Sequence, residues 1–208
     1  LDASGCIALT ILLCNKNPLT SINLSNCRSL KEFSWKLKRL ASLDVSGCTS
    51  LTTLACNNDQ LTSLDVSGCA SLTTLACNNN RLTSLDVSGC TSLTKLDCSM
   101  NYVDRLDMSG CTALTTLNCS DNFLREIDLS DSPSIDSLIC DVNQIKEREM
   151  TKLVNSLPDL QGKGIGLFRV FNETSKREGN VCLSDHVATA KAKGWKTQFK
   201  RGRYYDIW

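Results

Sequence analysis

The sequence predicts a solenoid of the α/β type, mostly β. It is read as a right-handed coil of seven 21-residue turns with a parallel concave sheet and little helix, plus a small α/β C-terminal cap. Three observations carry this. The phrase LDVSGC occurs at Leu43, Leu64 and Leu85, each start 21 residues after the last, with looser copies at Leu1, Ile22, Leu106 and Ile127. Apolar residues fall in register at five positions of every copy. The period stops after Glu147. A strict repeat of this length means turns that touch only their neighbours and share one continuous core. Residues 1–147 are therefore expected to form the solenoid and 148–208 its capping region.

Within one turn, the columns headed by Leu43, Val45, Leu51, Leu54 and Leu61 carry the core. Each buried side chain contributes on the order of 1.5–3 kcal/mol. Alternation around Leu54 predicts a short strand. One strand per turn at about 4.8 Å spacing gives a parallel sheet roughly 30 Å long. The segment Leu61 to Cys69 repeats the spacing, which predicts a second, shorter extended segment on the opposite side. The column Gly5, Gly47, Gly68, Gly89 and Gly110 marks a sharp turn, with Asn26 and Asp131 as the other residues that tolerate a left-handed backbone.

Twelve of the 13 cysteines occupy two columns. One runs from Cys6 to Cys111 and ends at Ser132. The other runs from Cys14 to Cys140 and is interrupted by Trp35. Both are expected to point inward as small hydrophobes with weak donors. Disulfides are the rival reading, since residues one strand apart lie within bridging distance; parallel Cβ vectors oppose it. Metal is a further rival, but no CxxC occurs and the chain has one His. No metal or cofactor is expected. The column Asn17, Asn80, Asn101, Asn122 and Asn143 is expected to satisfy backbone groups in the turn after each strand. Repeat 2 departs from the pattern: Trp35 replaces the Cys and Lys38 the Asn, and Asp59 replaces the Asn of repeat 3. The turn at Lys36 to Arg39 is expected to be distorted.

After the period fails, Met150, Leu153, Val154 and Leu157 follow helical spacing, and Pro158 stops the helix. Gly164 to Phe171 reads as a strand extending the sheet. Ser184 reads as the N-cap of a helix over Asp185 to Lys193, stopped by Gly194. Lys196 to Lys200 reads as a last strand. This region is expected to cover the last apolar edge.

The spacing LxxLxCxxNxL, present from Leu51 to Leu61, resembles the leucine-rich repeat family. It is similar to the cysteine-ladder repeats of internalin-J-like proteins and of secreted leucine-rich repeat proteins from Bacteroidetes. The stretches Glu178 to Cys182 and Val187 to Trp195 resemble the C-terminal region of the latter. The resemblance implies a curved solenoid on a bacterial cell surface or in its secretions, used to bind a partner.

Charge is divided along the chain. Residues 1–147 hold 11 Lys and Arg against 16 Asp and Glu, and 148–208 hold 12 against 6. The basic cluster Lys191, Lys193, Lys196, Lys200, Arg201 and Arg203 reads as a solvated face and as cations at a helix C-terminus rather than a nucleic-acid site. No apolar stretch is long enough to span a membrane. The chain opens inside a repeat without Met or signal peptide, which is expected of a mature or trimmed form.

Catalysis is not expected. Cys182 and His186 sit four apart, but no oxyanion element is arranged for them. The middle repeats are chemically monotonous: repeats 3 and 4 differ only at Thr49/Ala70, Asp59/Asn80 and Gln60/Arg81. Varied surface positions form two concave-face candidates. One is Lys31, Glu32 and Lys36 with Leu37; the other, favoured, is Lys95, Asp97, Met100, Tyr102 and Asn118. Tyr102 reads as the single aromatic on that rim. The expected activity is protein binding, with a glycan as the second ligand class and a rigid surface spacer as the alternative role. The expected state is a monomer or a weak dimer through the N-terminal edge at Leu1.

Overall fold

The computed structural model describes residues 1–15, 17–35, 39–57, 59–201 and 204–207, with side chains described through residue 199. The second to sixth repeats each contribute two three-residue strands, and the first and seventh one each. In chain order these are β1 (Ile11–Leu13), β2 (Ser21–Asn23), β3 (Glu32–Ser34), β4 (Ser42–Asp44), β5 (Thr53–Ala55), β6 (Ser63–Asp65), β7 (Thr74–Ala76), β8 (Ser84–Asp86), β9 (Lys95–Asp97), β10 (Arg105–Asp107), β11 (Thr116–Asn118) and β12 (Ser137–Ile139). Then follow α1 (Glu147–Ser156), β13 (Gly166–Asn172), α2 (Ser184–Ala192), β14 (Trp195–Arg201) and β15 (Tyr204–Ile207). The solenoid with a parallel sheet and little helix is as the period predicts. The second strands are as long as the first, not shorter.

The main sheet runs β15-β14-β13-β12-β11-β9-β7-β5, and β1 pairs with β3 on the same repeat positions. Register follows the period: Leu54 faces Leu75, Leu75 faces Leu96, and Leu96 faces Leu117. The second sheet is made of β2-β4-β6 and, separately, β8-β10. Leucines of the five columns fill the space between the sheets, and from the second turn onward nearly all are buried.

The thiols divide by column. Cys27, Cys48, Cys69, Cys90 and Cys111 each direct Sγ at the carbonyl three positions into the preceding turn, at 3.2, 3.2, 3.1, 3.6 and 3.4 Å. In the seventh turn Ser132 Oγ instead reaches the Cys111 carbonyl at 3.4 Å. All 13 cysteines are free, and the interior ones are buried. Cys6, in the first turn, is exposed, contrary to the inward expectation. Burial holds the interior thiols protonated: Cys48 is pushed up to about 11 and Cys69 to about 12.

The second thiol column is read by the asparagines. Asn122 Nδ2 donates to the Cys98 and Cys119 carbonyls at 3.0 and 3.1 Å, and its Oδ1 accepts the Val103 N–H at 2.9 Å. Asn80, Asn101 and Asn143 repeat the arrangement. One side chain thus ties two successive turns together and pairs three backbone groups at the corner.

The irregular repeats compensate each other. Trp35, in place of a cysteine, donates its indole N–H to Asp59 Oδ2 at 3.1 Å, and Asp59 stands in place of the next asparagine. Trp35 also stacks on Phe33 at 4.5 Å. The expected distortion falls on 36–38, outside the described residues.

Residues 166–182 rebuild a turn without its period. Phe168 takes the leucine position opposite Leu138. Asn180 takes the asparagine role, donating to the Cys140 carbonyl at 2.8 Å and accepting the Ile145 N–H at 3.0 Å. Glu178 supplies what the next backbone would: its carboxylate accepts N–H groups from Val142, Asn172 and Asn180 at 2.8, 2.8 and 2.9 Å. Gly179 must be glycine, since a Cβ would lie 2.7 Å from the Asn143 carbonyl.

Helix α1 buries Met150, Leu153 and Val154, with Leu157 at its end, as the spacing predicts. The strand expected from Gly164 begins at Gly166. Ser184 is the first residue of α2 rather than its N-cap. Leu183 occupies that place, and its N–H donates to His186 Nδ1 at 3.0 Å. The Lys193 ammonium donates to the Asn155 and Leu157 carbonyls at the end of α1. This is the cation at a helix C-terminus that the basic cluster suggested. Strand β15 returns antiparallel to β14. No helix among the described residues is long and apolar enough to cross a membrane.

Candidate functional site

The period places Lys95 and Asp97 on the outward side of β9 and Asn118 beside them on β11, in register with Asp97. A polar chain links these rungs. Asp97 Oδ1 accepts the Ser99 N–H at 3.1 Å and hydroxyl at 2.6 Å. Asn118 Nδ2 donates to Ser99 Oγ at 3.3 Å, and Asn118 Oδ1 accepts from Ser120 Oγ at 2.8 Å. Further along the same face, buried Asp141 pairs with Arg169 Nε at 2.8 Å. Asp97 and Asn118 are thus held rigid by hydroxyls, while Lys95 stays exposed.

Met100 and Tyr102 lie on the loop leaving β9, at the edge of this face, 51% and 49% exposed. Phe123, one turn on from Tyr102, is 39% exposed, so Tyr102 is not the single aromatic of the rim. The two rings stack with centroids 6.1 Å apart and planes 15° apart. Arg177, from the C-terminal segment, lies over Phe123 at 5.2 Å and pairs with Asp121 at 2.8 Å. A cation over a ring face is attracted by its quadrupole. The repeat register could have found Phe123. Nothing periodic announces Arg177, which arrives on a non-repeating loop.

Backbone strain concentrates at the same edge. Asn79, Met100, Asp121 and Val142, one per turn, have positive φ between 56° and 58°. Asn and Asp visit this region readily, but Met does not. Exposed Met100 therefore holds an unfavourable conformation with an apolar side chain in solvent.

The N-terminal candidates do not join this site. Lys31 and Glu32 are exposed at β3, three turns away, or roughly 14 Å along the sheet at about 4.8 Å per strand. Lys36 and Leu37 lie outside the described residues. Cys182 and His186 do not form a nucleophile pair: His186 Nδ1 accepts from Leu183, and Nε2 meets Thr151 Oγ1 at 2.9 Å. Burial pushes the Cys182 thiol up to about 12. No group of three or more potential metal ligands occurs among the described residues.

Residues 70–110 match the family model described as Leucine Rich repeats (2 copies). The matched copies lie within the fourth to sixth turns of the coil. Among solved structures it resembles YopM from Yersinia enterocolitica WA-314, with 23% identity over 79% of this chain and 35% of that one, TM-score 0.56. It also resembles YopM, a leucine-rich effector protein from Yersinia pestis, with 18% identity over 81% and 49% of the two chains, TM-score 0.58. The functional domain of InlJ from Listeria monocytogenes, which includes a cysteine ladder, aligns at 27% identity over 89% and 48%, TM-score 0.47. The chain thus spans between a third and a half of these proteins' lengths. The likeness to YopM is one of fold. No curated protein matches the chain.

Proposed function

We propose that this leucine-rich repeat chain is a non-enzymatic module of a bacterial cell-surface or secreted protein. It binds a protein partner through Lys95, Asp97, Met100, Tyr102 and Asn118, extended by Phe123 and Arg177. Residues 148–208 serve as the capping region and contribute Arg177 to the site. One observation carries this reading: the Met100–Tyr102–Phe123–Arg177 ridge gathers the residue types that dominate interfaces onto a solenoid that is otherwise repetitive and polar. Leucine-rich repeat solenoids present extended surfaces to protein partners, which supports the class. Protein is favoured over a glycan because the two rings face each other and leave little open face for a sugar to lie on.

A triple substitution of Lys95, Asp97 and Tyr102 to alanine tests it on an array of host and envelope proteins. Binding shown by the parent chain should be lost, with circular dichroism unchanged. Unchanged binding, or no binder at all, would favour the alternative, a rigid spacer. The near-identity of repeats 3 and 4 supports that alternative, since duplicated surface carries little information.

A further inference from the structure

The second sheet has an open edge. Where its strands pair the ladder is regular: Val45 N–H donates to the Asp65 carbonyl at 2.9 Å, Val87 N–H to Asp107 at 2.9 Å, and Asp104 N–H to Thr83 at 3.0 Å. At the junction of the sixth and seventh turns the equivalent groups are Met108 N–H, the Leu106 and Asp104 carbonyls, Arg125 N–H and the Asp128 backbone. Among the described residues none of these bonds crosses the junction, and residues 126–128 form no strand. The turns meet again on either side, through Phe123 N–H to the Val103 carbonyl at 2.9 Å and Gly110 N–H to Asp131 Oδ2 at 2.9 Å.

β6 and β8 also lie in separate sheets, so a missing ladder is not by itself a site. At the sixth junction two further features coincide with it. A cavity of about 660 Å³ lies there, walled on one side by residues 104–109 and on the other by Arg125, Glu126, Asp128, Ser130 and Asp131. Its charge is one-sided: five carboxylates, from Asp104, Asp107, Glu126, Asp128 and Asp131, face Arg105 and Arg125. Arg105 already lies 3.9 Å from Asp107. Unpaired strand edges template the pairing of another extended chain, and the lining charges select which chain.

We propose that this groove binds a basic, extended peptide segment of a partner, which lies along β10 and completes the second sheet. The segment's backbone takes Met108 N–H and the Leu106 carbonyl. Its outward Lys or Arg side chains meet Asp107, Asp128 and Asp131. This site lies on the second sheet and does not depend on the ridge beside the main sheet.

The test uses the full chain and a fluorescein-labelled Val-Lys-Val-Lys-Val-Lys peptide, blocked at both ends, followed by anisotropy. The peptide should bind saturably. N-methylation of its backbone at alternate residues should weaken binding about tenfold or more, because the sheet bonds are lost while the charge is kept. A Val-Glu counterpart should not bind. Ser130→Trp, which fills the groove, should abolish binding, and Asp128→Asn should weaken it if the Trp variant fails to fold. Tyr102→Ala should leave it unchanged. Equal binding of the N-methylated peptide, full binding to Ser130→Trp, or no binding up to the peptide's solubility limit would overturn the proposal.

Discussion

Asparagine 122 shows what one side chain does in this stack. Its amide is buried and satisfies two carbonyls and one N–H drawn from two successive turns. Replacing it with alanine strands all three. An unsatisfied buried group costs about 1–3 kcal/mol, so Asn122→Ala should lose about 3 kcal/mol or more in urea unfolding. Asn17, exposed in the first turn and holding two carbonyls, should lose less than about 1 kcal/mol when changed to alanine. The asparagine, leucine and thiol columns were legible in the sequence because one spacing repeats them. Asn180 and Glu178 were not. Asn180 does the work of the next asparagine from 37 residues beyond Asn143, where no period points. Phe123 stood in register with Tyr102 and could have been read. Its pairing with Arg177 could not, because only the folded loop brings that guanidinium to the rim.

At the scale of the element, the loops leaving the main sheet set a backbone conformation before they set a surface. Each of four successive loops requires one residue with φ near 56–58°, and asparagine or aspartate meets that need at two of them. Met100 does not. A left-handed conformation costs a residue with a Cβ roughly 1–2 kcal/mol, and such strain persists mainly where function keeps it. Met100→Asn should therefore stabilise the fold by about 0.5–1 kcal/mol while weakening partner binding. Urea midpoints and a binding titration on the same variant separate the two effects. A gain in stability with binding intact would make Met100 an accident of sequence. Val142 offers no such comparison, since its side chain is buried and its N–H is held by Glu178. Element boundaries in the C-terminal segment were less legible than the strands for a related reason. Local capping preference named Ser184, but His186 Nδ1 already accepts the N–H one residue earlier, so the N-cap falls on Leu183 and Ser184 opens the helix.

Across the whole molecule, the two thiol columns make the solenoid sensitive to alkali. Interior thiols are held protonated by burial; Cys48 and Cys90 are pushed up to about 11, and Cys98 and Cys111 to about 12. In the unfolded chain they return to the ordinary value of 9.0. A raised folded value stabilises fully below the unfolded one, and that stability is lost as pH rises towards the folded value. The window here opens at about pH 9. Above it, each thiol that ionises only on unfolding removes about 1.36 kcal/mol per pH unit. Because the turns share one core, the losses add within a single cooperative stack. A domain stability of roughly 5–15 kcal/mol would be consumed within about one pH unit. The chain should therefore unfold sharply near pH 10, with thiolate absorbance and loss of sheet signal rising together under reducing conditions. Replacing Cys69 and Cys90 with alanine should make the transition less steep, even though it lowers stability at neutral pH. Thiolate appearing gradually while the sheet signal persists would mean that the sulfurs reach solvent in the folded chain, and the dry ladder would not be what holds these turns together.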